Sequence, residues 1–293
     1  MVSIVEVNNL KKKFRKFEVL EDITFSVNAG EISGFIGPNG AGKSTTIRTL
    51  LGMIKASDGK AKIFGKDVWK DRREIHKRIS YVPGDVALWH NLSGGEIIDI
   101  FMKLHGSGNK EKRNTLINRF ELDPKKKAKS YSTGNKQKVA LISALSVDSD
   151  LYIFDEPSSG LDPLMETIFQ EEVEKLKKEG KAILLSSHIL SEVERLADKI
   201  IIIRKGKIVE SGSLDDMHHL TRSIVTLESN NDVSELSSLD GVHDFKQENK
   251  STTFSVDNEH MNKILYETSK LDVKKFEVAP PKLEDVFIRY YER

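Results

Sequence analysis

The residues that could do chemistry begin with Gly37-Pro38-Asn39-Gly40-Ala41-Gly42-Lys43-Ser44-Thr45. Two glycines framing four residues, followed by Lys and Ser, is the pattern of a phosphate loop. The loop lets backbone N–H groups turn inward around phosphate oxygens. A helix starting near Lys43 aims the positive end of its dipole at the same anion. In that geometry Lys43 reaches the β- and γ-phosphates and Ser44 offers its hydroxyl to Mg²⁺. ATP and Mg²⁺ are therefore the expected ligands.

A second group lies far along the chain. Leu151-Tyr152-Ile153-Phe154-Asp155-Glu156 reads as an apolar strand ending in two carboxylates. On the end of a parallel strand, Asp155 meets Mg²⁺ opposite Ser44. Glu156, next to it, can polarise water for attack on the γ-phosphate. Acidic strand ends are common at turns, so the pair alone would decide nothing; beside a phosphate loop it points to the metal and the water. His188 follows another apolar run, after Ser186-Ser187, where it could contact the γ-phosphate and the attacking water. A lone His is more often structural, and its place after a core strand is what favours the functional reading.

These residues need a frame. Apolar runs at 32–36, 151–154, 182–185 and 200–203 read as buried parallel strands whose carboxyl ends face a site. Helical stretches at 43–52, 137–145 and 164–179 alternate with them, which gives an α/β sheet covered on both faces. Residues 4–10 and 23–27 alternate apolar with polar, as half-exposed antiparallel strands do. Residues 95–130 look mainly helical and form an insertion between the two parts of the core. After about residue 213 the expected order is strand 223–228, helix 231–239, strand 242–247, strand 251–256, helix 259–270 and strand 273–278. That is the β-α-β-β-α-β order of a ferredoxin-like unit. Pro280-Pro281 then breaks the chain, with a last helix near 282–291.

Composition narrows the function classes. The 293 residues carry 46 Lys+Arg against 45 Asp+Glu, so a bulk electrostatic footprint for nucleic acid is absent. With no Cys, disulfides, thiolate zinc sites and Cys nucleophiles are excluded. No apolar run approaches the roughly 18–20 residues of a membrane helix, and residues 1–6 lack the features of a signal peptide. The chain is expected to stay soluble where it is made and, if it acts on membranes, to act from outside the bilayer through a partner.

Taken together, these motifs closely resemble the nucleotide-binding subunit of an ABC transporter, over roughly residues 3–213. Residues 37–45 are similar to its Walker A and 151–156 to Walker B with the catalytic Glu. Ser159-Gly160-Leu161-Asp162 is similar to the D-loop, which places Asp162 at the nucleotide, and His188 to the switch His. Phe14 stands where the family stacks an aromatic ring on adenine, with Phe17 a nearby competitor. Tyr131-Ser132-Thr133-Gly134-Asn135 resembles the signature motif. The resemblance implies a P-loop NTPase core with an N-terminal antiparallel β-subdomain and a helical insertion (about 85–135). It places the ATP-binding domain at 1–213 and a small α+β regulatory or dimerisation domain at 214–293.

Leu92-Ser93-Gly94-Gly95-Glu96 spells a better signature, yet lies too early. The family's signature starts a helix a little over twenty residues before Walker B, as Ser132 does. Ser93 fits instead as the cap of a helix starting near Gly95, with Glu96 at its third position. The chosen segment departs from the family at Tyr131, Thr133 and Asn135 but keeps Ser132 and Gly134, the two positions that touch the γ-phosphate held by a second subunit. A further departure is Gly84, in Tyr81-Val82-Pro83-Gly84-Asp85, where the family has a Gln that helps bind Mg²⁺ and connects to the membrane partner. Asp85 or a water is the expected substitute.

The resemblance is closest to bacterial exporter (ABC-2-like) subunits, some of which end in a run like Pro281-Lys282-Leu283-Glu284-Asp285-Val286-Phe287. It implies a homo- or heterodimer of ATPases docked on a multi-span permease and hydrolysing ATP to drive export. Two other readings stand beside it: a soluble ABC ATPase working on the ribosome or nucleic acid, and a regulatory subunit that holds ATP with little turnover. The run Lys125-Lys126-Lys127-Ala128-Lys129 would serve the first, but reads better as a solvated helical surface.

Overall fold

The computed structural model describes residues 2–213, 222–248 and 251–279. They form two compact units, 1–211 and 212–293.

The first unit is built on a ten-stranded mixed sheet. Its strands are β1 (Ser3–Phe14), β2 (Phe17–Asn28), β3 (Ile32–Ile36), β4 (Asp58–Ile63), β5 (Lys66–Asp67), β6 (Ile79–Val82), β7 (Leu151–Asp155), β8 (Ala182–Ser187), β9 (Lys199–Arg204) and β10 (Lys207–Ser213). The order is β5-β4-β1-β2-β10-β9-β3-β8-β7-β6. Strands β9, β3, β8, β7 and β6 run parallel. β3, β7 and β8 are buried along their whole length, as the continuous apolar runs require. β1, β2, β4 and β5 pair antiparallel. Their alternating sides feed one core cluster in which Val5, Val7, Leu20 and Ile23 join Phe35, Ile153, Leu184 and Ile201 of the parallel strands.

Register fixes where chemistry can occur. Ile36 pairs with Ser187, and Asp155 with Ser186. The carboxyl ends of β3, β7 and β8 therefore lie side by side on one edge, where open α/β sheets bind ligands. Helices α1 (Lys43–Leu50) and α2 (Arg72–Ile75) precede the insertion. The insertion holds α3 (Gly94–His105) and α4 (Lys110–Arg119) and leads into α5 (Thr133–Leu145). Helices α6 (Pro163–Lys178) and α7 (Leu190–Leu196) follow. Phe169 of α6 packs edge-on against Phe154 at 5.1 Å.

The second unit is a four-stranded antiparallel sheet, β11 (Ser223–Ser229), β12 (Val242–Glu248), β13 (Ser251–Val256) and β14 (Val273–Ala279), with α8 (Met261–Thr268). Its order β12-β13-β11-β14 is that of a ferredoxin-like sheet. The core is Val225, Leu227, Phe254, Val256 and Ile264. The expected helix at 231–239 is replaced by a short 3₁₀ turn, Ser234–Ser238. Asp232 accepts from Ser234 N–H, and the Ser237 and Ser238 hydroxyls donate to backbone carbonyls three residues back. Local bonding of this kind competes with the helix ladder. The expected helix near 282–291 and the 281–287 run lie outside the described residues.

Candidate functional site

The loop between β3 and α1 carries Lys43 inward until it is almost fully buried. Its ammonium donates to Gly37 O at 2.6 Å and Pro38 O at 3.3 Å, and pairs with Glu156 Oε1 at 3.3 Å. Burying a lone cation is costly, so the carbonyls and the carboxylate are what allow Lys43 to wait there. The other Glu156 oxygen bonds His188 Nδ1. Lys43, Glu156 and His188, from three distant parts of the chain, thus form one constellation.

Ser186 sets the two carboxylates. Its hydroxyl donates to Asp155 Oδ1 at 2.6 Å and accepts from Glu156 N–H at 3.2 Å, while its carbonyl takes the same N–H at 3.0 Å. Glu156 is held with a left-handed backbone, φ 53°. A non-glycine residue there is strained, and such strain collects at functional sites. Asp155 is buried beside the cavity and Glu156 is half-buried over it.

The cavity itself measures about 410 Å³. Pro38, Asn39, Gly40, Gly42, Lys43, Ser44, Thr45, Asp155 and Glu156 line it as expected. Gly37 enters through its carbonyl, and Ala41 anchors the loop by accepting from Gly206 N–H at 2.9 Å. Sequence reasoning missed Arg48, Tyr81 and Val19, which also line the cavity, and Ser186. Arg48 was findable, since it follows Ser44 and Thr45 by four and three positions on one helix face. Tyr81 is pushed up to about 12 by burial and by the Asp155 carboxylate, so it stays a neutral donor at physiological pH.

Besides Gly37 and Ala41 in the loop backbone and His188 on Glu156, four expected site residues do not line this cavity. Phe14 is exposed at the β1–β2 hairpin, opposite Phe17, with the Lys12 ammonium 4.7 Å from its ring centre. Ser132 caps α5, accepting from Asn135 N–H at 3.3 Å. Gly134 lies so close to Gly160 O that a Cβ there would clash. Asp162 caps α6, accepting from Met165 N–H at 3.1 Å. The start of α5 therefore packs on the turn after Glu156, and the buried Gln137 amide reinforces this by donating to Pro157 O at 2.8 Å.

Segment 92–96 behaves as a cap. Ser93 Oγ accepts from Glu96 N–H at 3.3 Å and Glu96 Oε2 accepts from Ser93 N–H at 2.6 Å, a complete capping box. Gly94 N–H and Gly95 N–H donate to Lys126 O and Pro124 O. A Cβ at Gly94 would run into the Tyr131 ring, so the Tyr at 131 is accommodated by a glycine at 94.

Gly84 and Asp85 line the cavity, and a Cβ at 84 would sit 3.1 Å from Asp155 O. Tyr81 and Pro83, which line the cavity, also wall an adjoining apolar groove of about 490 Å³. Exposed Met53, Phe101 and Leu104 line this groove.

The donor set suits Mg²⁺. Ser44 and Asp155 present a hydroxyl and a carboxylate, hard oxygens of the kind Mg²⁺ takes in ones and twos alongside phosphates. Among the described residues no cluster of three His, Asp or Glu could hold a metal. A cation here would draw its remaining ligands from nucleotide and water.

Comparison with known proteins agrees with this geometry. Residues 20–159 match the family model described as ABC transporter, and residues 212–291 match the C-terminal domain of DrrA1-3-like ATP-binding proteins. The bacitracin transport ATP-binding protein BcrA of Bacillus licheniformis is 32% identical over 302 residues, covering 99% of this chain and 97% of that protein. The ABC transporter ATP-binding protein YhaQ of Bacillus subtilis is 30% identical, covering 97% of each. A solved ATP-binding subunit of an ABC transporter superposes with a TM-score of 0.70 at 33% identity, over 74% of this chain and 92% of that one.

Proposed function

This chain belongs to the ATP-binding subunits of ABC transporters, and from that premise we propose that it powers export through a separate membrane-spanning permease. It is an ATPase. The observation that carries the mechanism is the Lys43–Glu156–His188 constellation beneath the phosphate loop. ATP enters with its γ-phosphate at the Lys43 ammonium, displacing Glu156 from that contact. Ser44 and Asp155 would hold Mg²⁺, which would supply charge neutralisation to the phosphates. Glu156 then accepts a proton from a water aligned with the γ-phosphate, and His188 keeps Glu156 oriented. Phe14 stacks on the adenine.

Phe14 apart, the expected residues outside the cavity support a second half-site. Ser132, Gly134 and Asp162 of one subunit meet the nucleotide held by another, so two subunits close head to tail around two ATP molecules. Closure and release are the mechanical output. The groove next to Pro83 supports the coupling route. A helix from the permease seated on Phe101 and Leu104 would press on the wall it shares with the phosphate cavity. Among the described residues no helix is long and apolar enough to cross a membrane. On this reading the permease is the anchor, and the chain works peripherally at the cytoplasmic face.

Similarity to BcrA along nearly the whole chain supports a transport role, and makes bacitracin the first cargo to test. The second unit pairs or regulates the ATPases. The test is reconstitution with the permease in vesicles. ATP-dependent cargo movement should vanish in Lys43→Ala, through lost ATP binding. It should also vanish in Leu104→Glu, which keeps ATP binding but loses the permease. Transport by Leu104→Glu at the parent rate would refute the docking route.

A further inference from the structure

Glu192 is a buried carboxylate that the chemistry above does not use. It sits in the first turn of α7, just after His188, and is 6% exposed. One oxygen, Oε2, accepts two hydroxyls, Ser158 Oγ at 3.0 Å and Ser187 Oγ at 2.8 Å. The other, Oε1, is buried with no hydrogen-bond partner among the described residues. Leaving a carboxylate oxygen dry and unpaired is costly, and an apolar side chain would avoid the cost. Such a group is expected where its geometry matters more than the stability it takes away.

The two serines belong to different parts of the machinery. Ser187 precedes His188, and its hydroxyl also accepts from Ile189 N–H at 3.0 Å, so the backbone is pinned on both sides of the histidine. Ser158 opens the turn that follows Glu156. That turn is closed by Leu161 N–H on Ser158 O at 3.0 Å. It is the same turn that the start of α5 contacts, at Gly160 and Pro157. One carboxylate oxygen therefore ties the segment leading to Asp162 to the segment carrying His188.

We propose that Glu192 is a positioning residue for hydrolysis, holding the 158–162 turn and His188 in one fixed relation through Ser158 and Ser187. Movement of the turn, when a neighbouring subunit presses on it, is passed through Glu192 to His188 and so to the carboxylate of Glu156. This rests on the reading of Glu156 and His188 as the hydrolytic pair.

The test uses the full-length chain. Steady-state ATP turnover is measured together with equilibrium binding of a non-hydrolysable ATP analogue, for Glu192→Ala, Glu192→Gln, Ser158→Ala and Ser187→Ala. Glu192→Ala should lower kcat by about tenfold or more with analogue affinity within about threefold of the parent. Glu192→Gln keeps a carbonyl to accept both hydroxyls and should recover kcat to within about threefold of the parent. The two serine substitutions should be non-additive, the double variant losing little more than the worse single. Parent-level kcat in Glu192→Ala, equal loss in Glu192→Gln and Glu192→Ala, or additive serine effects would each overturn the proposal. If Glu192→Ala does not fold, the serine pair decides. Glu156→Gln serves as the control. Parent turnover in that variant would remove the underlying reading, whereas inactive Glu156→Gln beside fully active Glu192→Ala would remove only the role of Glu192.

Discussion

Segments 92–96 and 131–135 are two versions of one local device, and they differ in what each does with its helix N-terminus. Both place a serine at the N-cap, Ser93 on α3 and Ser132 on α5. Both follow it with a residue and a glycine in the first turn. The third helical position is Glu96 in one and Asn135 in the other. Glu96 turns back on Ser93 N–H, so α3 already holds an anion of its own. Its first-turn N–H groups are spoken for by Lys126 O and Pro124 O, and Ser93, Gly94 and Gly95 are buried. α5 presents exposed Ser132 and Thr133 and a neutral Asn135. Of its first-turn N–H groups, that of Asn135 is capped by Ser132 Oγ, while those of Thr133 and Gly134 have no partner within the helix, which is the state that binds phosphate. Spelling alone favours 92–96. The charge at the third position and the exposure of the turn favour 131–135.

The comparison can be broken from either side. The largest effect is expected from Asn135→Glu, which gives α5 the internal anion of α3. Like charges across a closing interface cost several kcal/mol, so turnover should fall by about a hundredfold or more while ATP binding to the single subunit is kept. Unchanged turnover would mean that no phosphate approaches Asn135. A smaller contrast separates the two serines. Ser132→Ala should lower kcat by about tenfold or more, since it would remove the proposed donor to the γ-phosphate. Ser93→Ala should leave kcat within about twofold and cost about 1 kcal/mol of stability, read as a lower thermal midpoint. The reverse pattern would exchange the two assignments.

The smallest effect is a pH dependence. The Ser93 N–H and hydroxyl, then Lys127, hold the Glu96 carboxyl down to about 2 from 4.5. A depressed carboxyl contributes stability above the unfolded value and loses it as pH falls through the folded one. Thermal midpoints of the parent and Glu96→Gln should therefore converge between about pH 4.5 and 2. Asn135→Gln should show no such convergence, because neither residue ionises. A gap for Glu96→Gln that is constant down to pH 2 would show that its carboxylate is not engaged at the cap.

Much of the site was legible because its parts are local. A phosphate loop, an apolar strand ending in Asp155-Glu156 and a histidine after Ser187 each announce themselves within a few residues. The parallel strands were legible because burial on both faces leaves an unbroken apolar run. What escaped was set across the sheet. Ser186 reaches Asp155 and Glu156 only through the β7–β8 register, and Tyr81 enters the cavity from β6. β4 shows only Ala61 and Ile63 to the core, too few in six residues to stand out from a polar surface. The 231–239 helix failed because serine and aspartate side chains took over the backbone bonding that a helix needs. The pairing of Gly94 with Tyr131 was invisible for the same non-local reason, although both residues had been singled out as departures or decoys.

The most direct test of the account is the assembly state of Glu156→Gln in MgATP, measured by sedimentation, with a second substitution in either segment. We predict a dimer for Glu156→Gln alone and with Ser93→Ala, and a monomer with Ser132→Ala or Asn135→Glu. A dimer that survives the changes at 132 and 135 but falls apart with Ser93→Ala would contradict the claim that α5 supplies the other half of the ATP site.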